Sequence, residues 1–296
     1  MKTLIIGASG KIGRYFLEFG SANYIYTYNK RKIRKGIYFD ICKSNLDKLC
    51  KKFCVNKIIL LSGISDPGEC YRNKKYSNLI NVTKTKKIID YIIKKDIYFI
   101  FFSTEFIFSG NKGNYGEGDL AKTNQLYGNQ KYLIEKYITK RTKNFSILRI
   151  AKTYGDKLDD NTLISNFILS LKNGKREFSV ATDQKFNPLY VRDLQKIIKL
   201  FLKREMKGIF NVGGPEQLSR YECIKRVINQ FKSKNKIILK KSKLKNFQFL
   251  DKRPLNITMN INKIKRIIKF KLTKIDEVAK KIVRRNKLNE KLFNRR

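Results

Sequence analysis

The chain contains no histidine. That absence excludes His-based catalytic triads, a histidine general base and histidine-ligated zinc together. Its five cysteines (Cys42, Cys50, Cys54, Cys70 and Cys223) are odd in number and form no C-x-x-C pair. Cys50 and Cys54 lie four apart, but two thiols do not make a metal site, so reduced and mostly buried thiols are expected, with no metal. Proline is scarce, four in 296 residues, which leaves little room for long linkers. No apolar run approaches the roughly 20 residues of a membrane span. The apolar stretch before the first glycine is too short for a signal-peptide core, so a cytoplasmic protein without a membrane partner is expected. Acidic residues are also few: 24 Asp and Glu face 67 Lys and Arg, for a net charge of +43. Such an excess suggests nucleic acid. Lysine, however, is spread along the whole chain, without zinc-finger spacing or a basic heptad helix. We read it as solvated surface charge that favours polyanionic substrates, with no specific nucleic-acid partner.

What is present begins at once. Thr3-Leu4-Ile5-Ile6 is a short apolar strand that breaks into Gly7-Ala8-Ser9-Gly10-Lys11-Ile12-Gly13, three glycines spaced three apart. A strand, a turn free of Cβ atoms and a helix start bring backbone N–H groups against a dinucleotide pyrophosphate. Gly7, Ser9, Gly10, Lys11, Ile12 and Gly13 are therefore candidate cofactor residues. Strand and helix patterns alternate over the first 150 residues, which predicts an α/β doubly wound parallel sheet of the Rossmann type with a smaller C-terminal lobe. Strands are expected at 3–6, 24–28, 36–39, 57–61, 97–102, 146–150 and 208–212. Helices are expected at 11–19, 43–53, 71–94, 124–139, 163–171, 193–203 and 219–231. Residues 1–155, completed by about 183–212, would form the nucleotide-binding domain. Residues 156–182 and 213–296 would form the substrate lobe, with the tail from Arg284 partly disordered. The second strand ends in Tyr28-Asn29-Lys30-Arg31-Lys32, cationic where an NAD enzyme places a carboxylate on the ribose hydroxyls. Asn29, Lys30 and Arg31 would welcome a 2′-phosphate, which predicts NADPH, with NADH as the alternative.

Proton transfer to a reduced carbonyl needs an acid beside the hydride donor, and Tyr-x-x-x-Lys on one helix face can supply it. The spacing alone selects nothing, since it occurs seven times. Context selects Tyr127 and Lys131. Their helix follows a buried strand ending in Ser103-Thr104, after a loop holding Gly110, Gly113, Gly116 and Gly118. A strand-end hydroxyl, a phenol and an ammonium can then share one crevice.

Ser103-Thr104-Glu105-Phe106-Ile107-Phe108-Ser109-Gly110 resembles the Ser-Thr-Asp-Tyr-Val-Phe-Asp-Gly signature of dTDP-4-dehydrorhamnose reductases, which are extended short-chain dehydrogenases/reductases. Tyr115-Gly116-Glu117, Tyr127-Gly128-Asn129-Gln130-Lys131, Glu135, Leu148-Arg149-Ile150, Tyr154-Gly155, Asp183-Gln184 with Pro188, Asp193-Leu194 and Arg253-Pro254 are similar in order and spacing. The likeness runs from residue 1 to about 280. It implies NADPH-dependent reduction of the 4-keto group of a nucleotide-diphospho-6-deoxy sugar, in polysaccharide biosynthesis. By the same resemblance Asp40 and Ile41 contact adenine, Leu61, Ser62 and Gly63 border the nicotinamide ribose, and Ser103 is a further cofactor residue. Asn81 holds a proton-relay water, Thr104 binds the ketone, Tyr127 delivers the proton and Lys131 binds ribose and depresses the tyrosine pKa. Glu105, Lys152 and Arg253 would join Thr104 at the substrate.

The chain departs from that pattern where Glu105 replaces Asp, Phe106 replaces Tyr, Lys152 replaces an aromatic residue and Leu189 replaces Thr, so an altered sugar or an unusual nucleotide is expected. Three other readings stand beside the reductase: a nucleotide-sugar epimerase or dehydratase, a non-catalytic NADP-binding subunit like the regulatory subunit of methionine adenosyltransferase, and a nucleic-acid binder resting on charge alone. A homodimer is left open.

Overall fold

The computed structural model describes residues 2–20, 22–232 and 236–288. Six strands, β1 (Lys2–Ile6), β2 (Tyr24–Tyr28), β3 (Ile37–Tyr38), β4 (Val55–Leu60), β5 (Tyr98–Thr104) and β6 (Phe145–Ile150), join the strand Gly208–Val212 in one sheet. All neighbours pair in parallel, in the order Gly208–Val212, β6, β5, β4, β1, β2, β3. The order reverses between β1 and β4, and the crevice above such a reversal is where doubly wound sheets take ligands.

Period-two alternation sends successive side chains to opposite faces, and both faces are covered. Ile5, Ile100, Phe102, Leu148 and Phe210 pack with Phe16, Leu194, Ile198 and Phe201 on one face. Leu4, Ile6, Ile58, Phe99, Phe101 and Ile147 pack with Ile89, Ile134 and Ile138 on the other. All of β5 is buried, as its unbroken apolar run requires, and it extends to Ser103 and Thr104. A separate core of Tyr154, Phe167, Ile224, Val227 and Ile282 holds the lobe together. Met259, Ile261, Ile264 and Leu272 return to the first sheet face, so the C-terminal third is shared between sheet and lobe.

Several elements differ from the periodicity. The helix expected at 11–19 is one α turn, Gly13–Phe16, followed by a 3-10 turn at Leu17–Phe19. The helix expected at 71–94 divides into Pro67–Arg72, Lys74–Asn78, a π turn at Leu79–Lys84 and Thr85–Lys94. Asn73 causes the first break: it leaves helical geometry, and its Oδ1 accepts the Tyr76 N–H at 3.2 Å to cap the next segment. Cys54 is the left-handed residue that ends the Leu46–Phe53 helix, so it does not share a helix face with Cys50. The helix Ile275–Arg285 takes the first two residues of the expected tail, whose residues 289–296 lie outside the described residues. Among the described residues no helix is long and apolar enough to cross a membrane, and no group of three or more Cys, Asp or Glu is arranged to hold a metal.

Candidate active site

The glycine turn is built by close packing. Gly7 has φ +93°, and a Cβ there would lie 2.8 Å from the Ser62 nitrogen; one on Gly13 would lie 2.7 Å from the carbonyl oxygens of Gly7 and Ala8. A Cβ on Gly10 would meet only the Gly7 oxygen, at 3.4 Å, so its bare backbone faces open space. Thr27 holds the turn from β2: its Oγ1 accepts the Gly7 N–H at 3.0 Å and its carbonyl accepts the Ala8 N–H at 2.9 Å. The helix that follows is short, so unsatisfied backbone N–H groups, rather than a long macrodipole, would meet an anion here.

A cavity of about 790 Å³ opens over the carboxyl ends of β1, β4, β5 and β6. Of the expected site residues, Gly7, Gly10, Lys11, Ile12, Gly13, Leu61, Gly63, Ser103, Thr104, Glu105, Tyr127, Lys131, Lys152 and Arg253 line it. Ser9, Asn29, Lys30, Arg31, Asp40, Ile41, Ser62 and Asn81 do not. Asn29, Lys30 and Arg31 are exposed at the end of β2. Asp40 organises the turn after β3, its Oδ1 accepting the Cys42 N–H at 2.8 Å, and Ile41 packs into the second sheet face. Asn81 sits on the π turn. Its Oδ1 accepts the Ile64 N–H at 2.8 Å, and its Nδ2 donates to the Ile64 carbonyl at 2.9 Å and to Gln130 Oε1 at 2.8 Å. The side chain thus ties the Gly63–Ile64 loop to the helix that carries Lys131.

That helix, Leu126–Arg141, presents Tyr127 and Lys131 to the end of β5. Gly128 permits the approach, since a Cβ there would lie 2.0 Å from the Phe106 carbonyl oxygen. One turn beyond Lys131 on the same helix face, the buried Glu135 carboxylate pairs with Arg149 on β6, Nη2 to Oε2 at 2.8 Å. Tyr127 meets the Phe106 ring edge-on with centroids 6.4 Å apart, and the Lys131 Nζ lies 6.0 Å from the Tyr127 ring and 4.8 Å from that of Phe101. Burial holds the Tyr127 phenol above its ordinary pKa, with the Thr104 hydroxyl pulling it back down by hydrogen bonding. Burial also pushes the Lys131 ammonium down to about 8. In the protein by itself, therefore, the phenol is raised and not depressed as the Tyr-Lys pairing predicts, and desolvation is the largest cause. A phenol so held stays protonated at neutral pH, as an acid must.

Glu105, 1% exposed, is the second unusual group. Its Oε1 accepts the Lys152 N–H at 3.0 Å, while its Oε2 is buried without a partner. Burial raises this carboxyl to about 8, and burial together with Arg220 lowers Lys152 to about 8. Arg220 also lines the cavity, and sequence reasoning missed it. Ser219 and Glu222 form a capping box that makes Arg220 the first residue of a lobe helix, a legible signal that one cation among so many obscured. Arg253 is set by Gly110 (φ +83°), against whose face Pro254 packs so closely that a Cβ would lie 2.4 Å from the proline Cβ. The cavity thus joins a bare glycine turn, a buried hydroxyl–phenol–ammonium group and a cationic wall.

Comparison with known proteins gives a consistent picture. Residues 1–288 match the family described as RmlD substrate binding domain. A hypothetical dTDP-4-dehydrorhamnose reductase from Sulfolobus tokodaii superposes with a TM-score of 0.80 at 25% identity, covering 93% of this chain and 98% of that one. The dTDP-4-dehydrorhamnose reductase of Bacillus anthracis, solved in complex with NADP, gives 0.81 at 20% identity over 96% of this chain and 100% of that one. Methionine adenosyltransferase 2 subunit beta of Xenopus tropicalis is 23% identical over 232 residues, 75% of this chain and 69% of that protein.

Proposed function

Because the chain belongs to the RmlD substrate binding domain family, of the extended short-chain dehydrogenase/reductase type, we propose that it is an NADPH-dependent reductase of the 4-keto group of a nucleotide-diphospho sugar, with Tyr127 as proton donor. The observation that supports this reading most is that Thr104, Tyr127 and Lys131 line one cavity with the bare face of the glycine turn. The residues fit the cofactor: Gly10 leaves backbone open where a Cβ would stand, and Ser103 Oγ is buried without a partner on the cavity wall. Gly7 through Gly13 would hold its pyrophosphate, Lys30 and Arg31 a 2′-phosphate, and Lys131 a ribose hydroxyl. When bound, the nicotinamide supplies hydride to the carbonyl carbon.

The protein's own part is positional and protonic. The Thr104 hydroxyl donates to the sugar ketone and fixes it beside Tyr127. The Tyr127 O–H gives its proton to that oxygen, which becomes the alcohol, and leaves a phenolate. The nearby Lys131 ammonium, charged at neutral pH, steadies this phenolate. Asn81 acts on the loop that carries Gly63, as a positioning residue.

Mixing the protein with NADPH and a panel of nucleotide-diphospho-4-keto sugars, and following loss of nicotinamide absorbance, tests the reading. Stoichiometric oxidation of NADPH is expected with at least one sugar. The likeness to the methionine adenosyltransferase subunit favours a second reading, in which the chain binds NADP without turnover. Tight NADPH binding with no oxidation across the panel, and stable association with a methionine adenosyltransferase catalytic subunit, would support it and overturn the first.

A further inference from the structure

The cavity holds more unpaired positive charge than a nucleoside diphosphate neutralises. Arg220 and Arg253 both face it from the lobe. The Arg220 guanidinium bonds to the Gln184 side-chain carbonyl and lies 6.0 Å from the Phe186 ring. The Arg253 guanidinium lies 5.2 and 5.8 Å from the Phe249 and Phe106 rings, with its Nε buried and unpartnered. Among the described residues neither makes an ion pair, and their forked donors suit the two charges of a diphosphate.

Lys152 is left over. It stands on the sheet rather than the lobe: Thr104 pairs with Ile150 across β5 and β6, so Lys152 lies two residues past the strand end beside the ketone-binding hydroxyl. Its ammonium has no hydrogen bond or ion pair among the described residues. The adjacent Glu105 carboxyl attracts it but forms no ion pair with it among the described residues. Its one satisfied oxygen is taken by the Lys152 backbone N–H, and its carboxyl, raised to about 8, is largely neutral at pH 7. Lys152 is half-buried on this wall, and a partly desolvated cation without a paired anion carries a cost that a ligand bringing the anion recovers.

We propose that the sugar accepted here carries a carboxylate on its ring, received by Lys152 beside the reacting carbon. This rests on the reductase reading above and narrows its substrate class from a neutral 6-deoxy sugar to an acidic one. The protonated Glu105 Oε2, buried and unpartnered at the same wall, donates to that sugar as well.

The test is calorimetric titration of the NADP+-saturated protein with four stable ligands: UDP-glucuronate, UDP-glucose, dTDP-glucuronate and dTDP-glucose. With whichever nucleotide binds, the acidic sugar is expected to bind at least about tenfold more tightly than its neutral counterpart, as a charge-assisted contact provides. Lys152→Met and Lys152→Gln should each bring that ratio near one, while Lys152→Arg keeps a preference. NADP+ affinity, measured in each variant, reports folding. Equal affinity of acidic and neutral sugars in the wild-type protein, or a preference that survives both neutral variants, overturns this inference and leaves the reductase reading standing. Failure of all four ligands to bind also overturns this inference, and the NADPH oxidation panel then decides the reductase reading by itself.

Discussion

Gly128→Ala tests the geometry on which the chemistry depends. The added methyl would sit 2.0 Å from the Phe106 carbonyl oxygen, where ordinary contact begins at 3.4 Å. The neighbour is backbone at the end of β5, not the tip of a side chain that could swing aside. The helix and the Glu105–Ile107 turn must therefore part by about 1.4 Å, which moves Tyr127 and Lys131 away from Thr104 together. Misplacement of about 1 Å costs on the order of 10²-fold in rate, and overpacking of this kind costs about 1–3 kcal/mol of stability. We expect kcat to fall by about 10²-fold on any accepted sugar, NADPH affinity to weaken because Lys131 moves with the helix, and Tm to drop. Gly118→Ala is the control: a Cβ there meets nothing within 4 Å, so turnover and Tm should hold. Turnover and Tm unchanged in Gly128→Ala would refute the claim that this glycine sets the approach of phenol to hydroxyl.

Three further outcomes follow from the same structure. Arg149→Met leaves the buried Glu135 carboxylate without its partner and should cost about 3–5 kcal/mol in denaturant unfolding; a loss below about 1 kcal/mol would mean the pair does not hold the helix to β6. Glu105, raised to about 8 in the folded protein, binds its proton more tightly there than when unfolded, so wild-type stability should fall as pH rises from the usual carboxylate range towards 8. Glu105→Gln removes that slope, so its Tm relative to wild type should climb between pH 5 and 8; a flat difference would contradict the burial assigned to this group. For the cofactor, Lys30→Ala combined with Arg31→Ala should raise KM for NADPH while leaving that for NADH little changed, and equal KM values for the two in the wild-type protein would overturn the 2′-phosphate reading.

The parts of this molecule legible in the sequence were those whose physics is local. Three apolar residues before Gly7 announced β1 and its turn, and the unbroken run to Phe102 announced a strand buried on both faces. Tyr127 was selected by what precedes it, since the Tyr-Lys spacing recurs too often to select anything, and the fold brings it to the cavity wall with Thr104 and Lys131. The breaks between residues 67 and 94 were hidden because apolar periodicity runs through them: Asn73 interrupts the helix by capping its successor, and the π turn that carries Asn81 leaves no compositional mark. The short helix at Gly13 was overread for a similar reason, its amphipathic pattern continuing into a 3-10 turn. Arg220 and the burial of Glu105 were obscured for a different reason. A long-range packing event puts both on the cavity wall, and in a chain so rich in lysine and arginine a cavity-lining cation looks like any other. The direction of the Tyr127 shift also belongs to the fold, because only three-dimensional packing supplies the desolvation that raises it.

The most direct test of the central claim compares NADPH oxidation by wild type and Tyr127→Phe on an accepted nucleotide-diphospho-4-keto sugar, with NADPH affinity measured alongside. Loss of at least about 10²-fold in kcat with cofactor affinity retained is the predicted result. Undiminished turnover by the phenylalanine variant would contradict it.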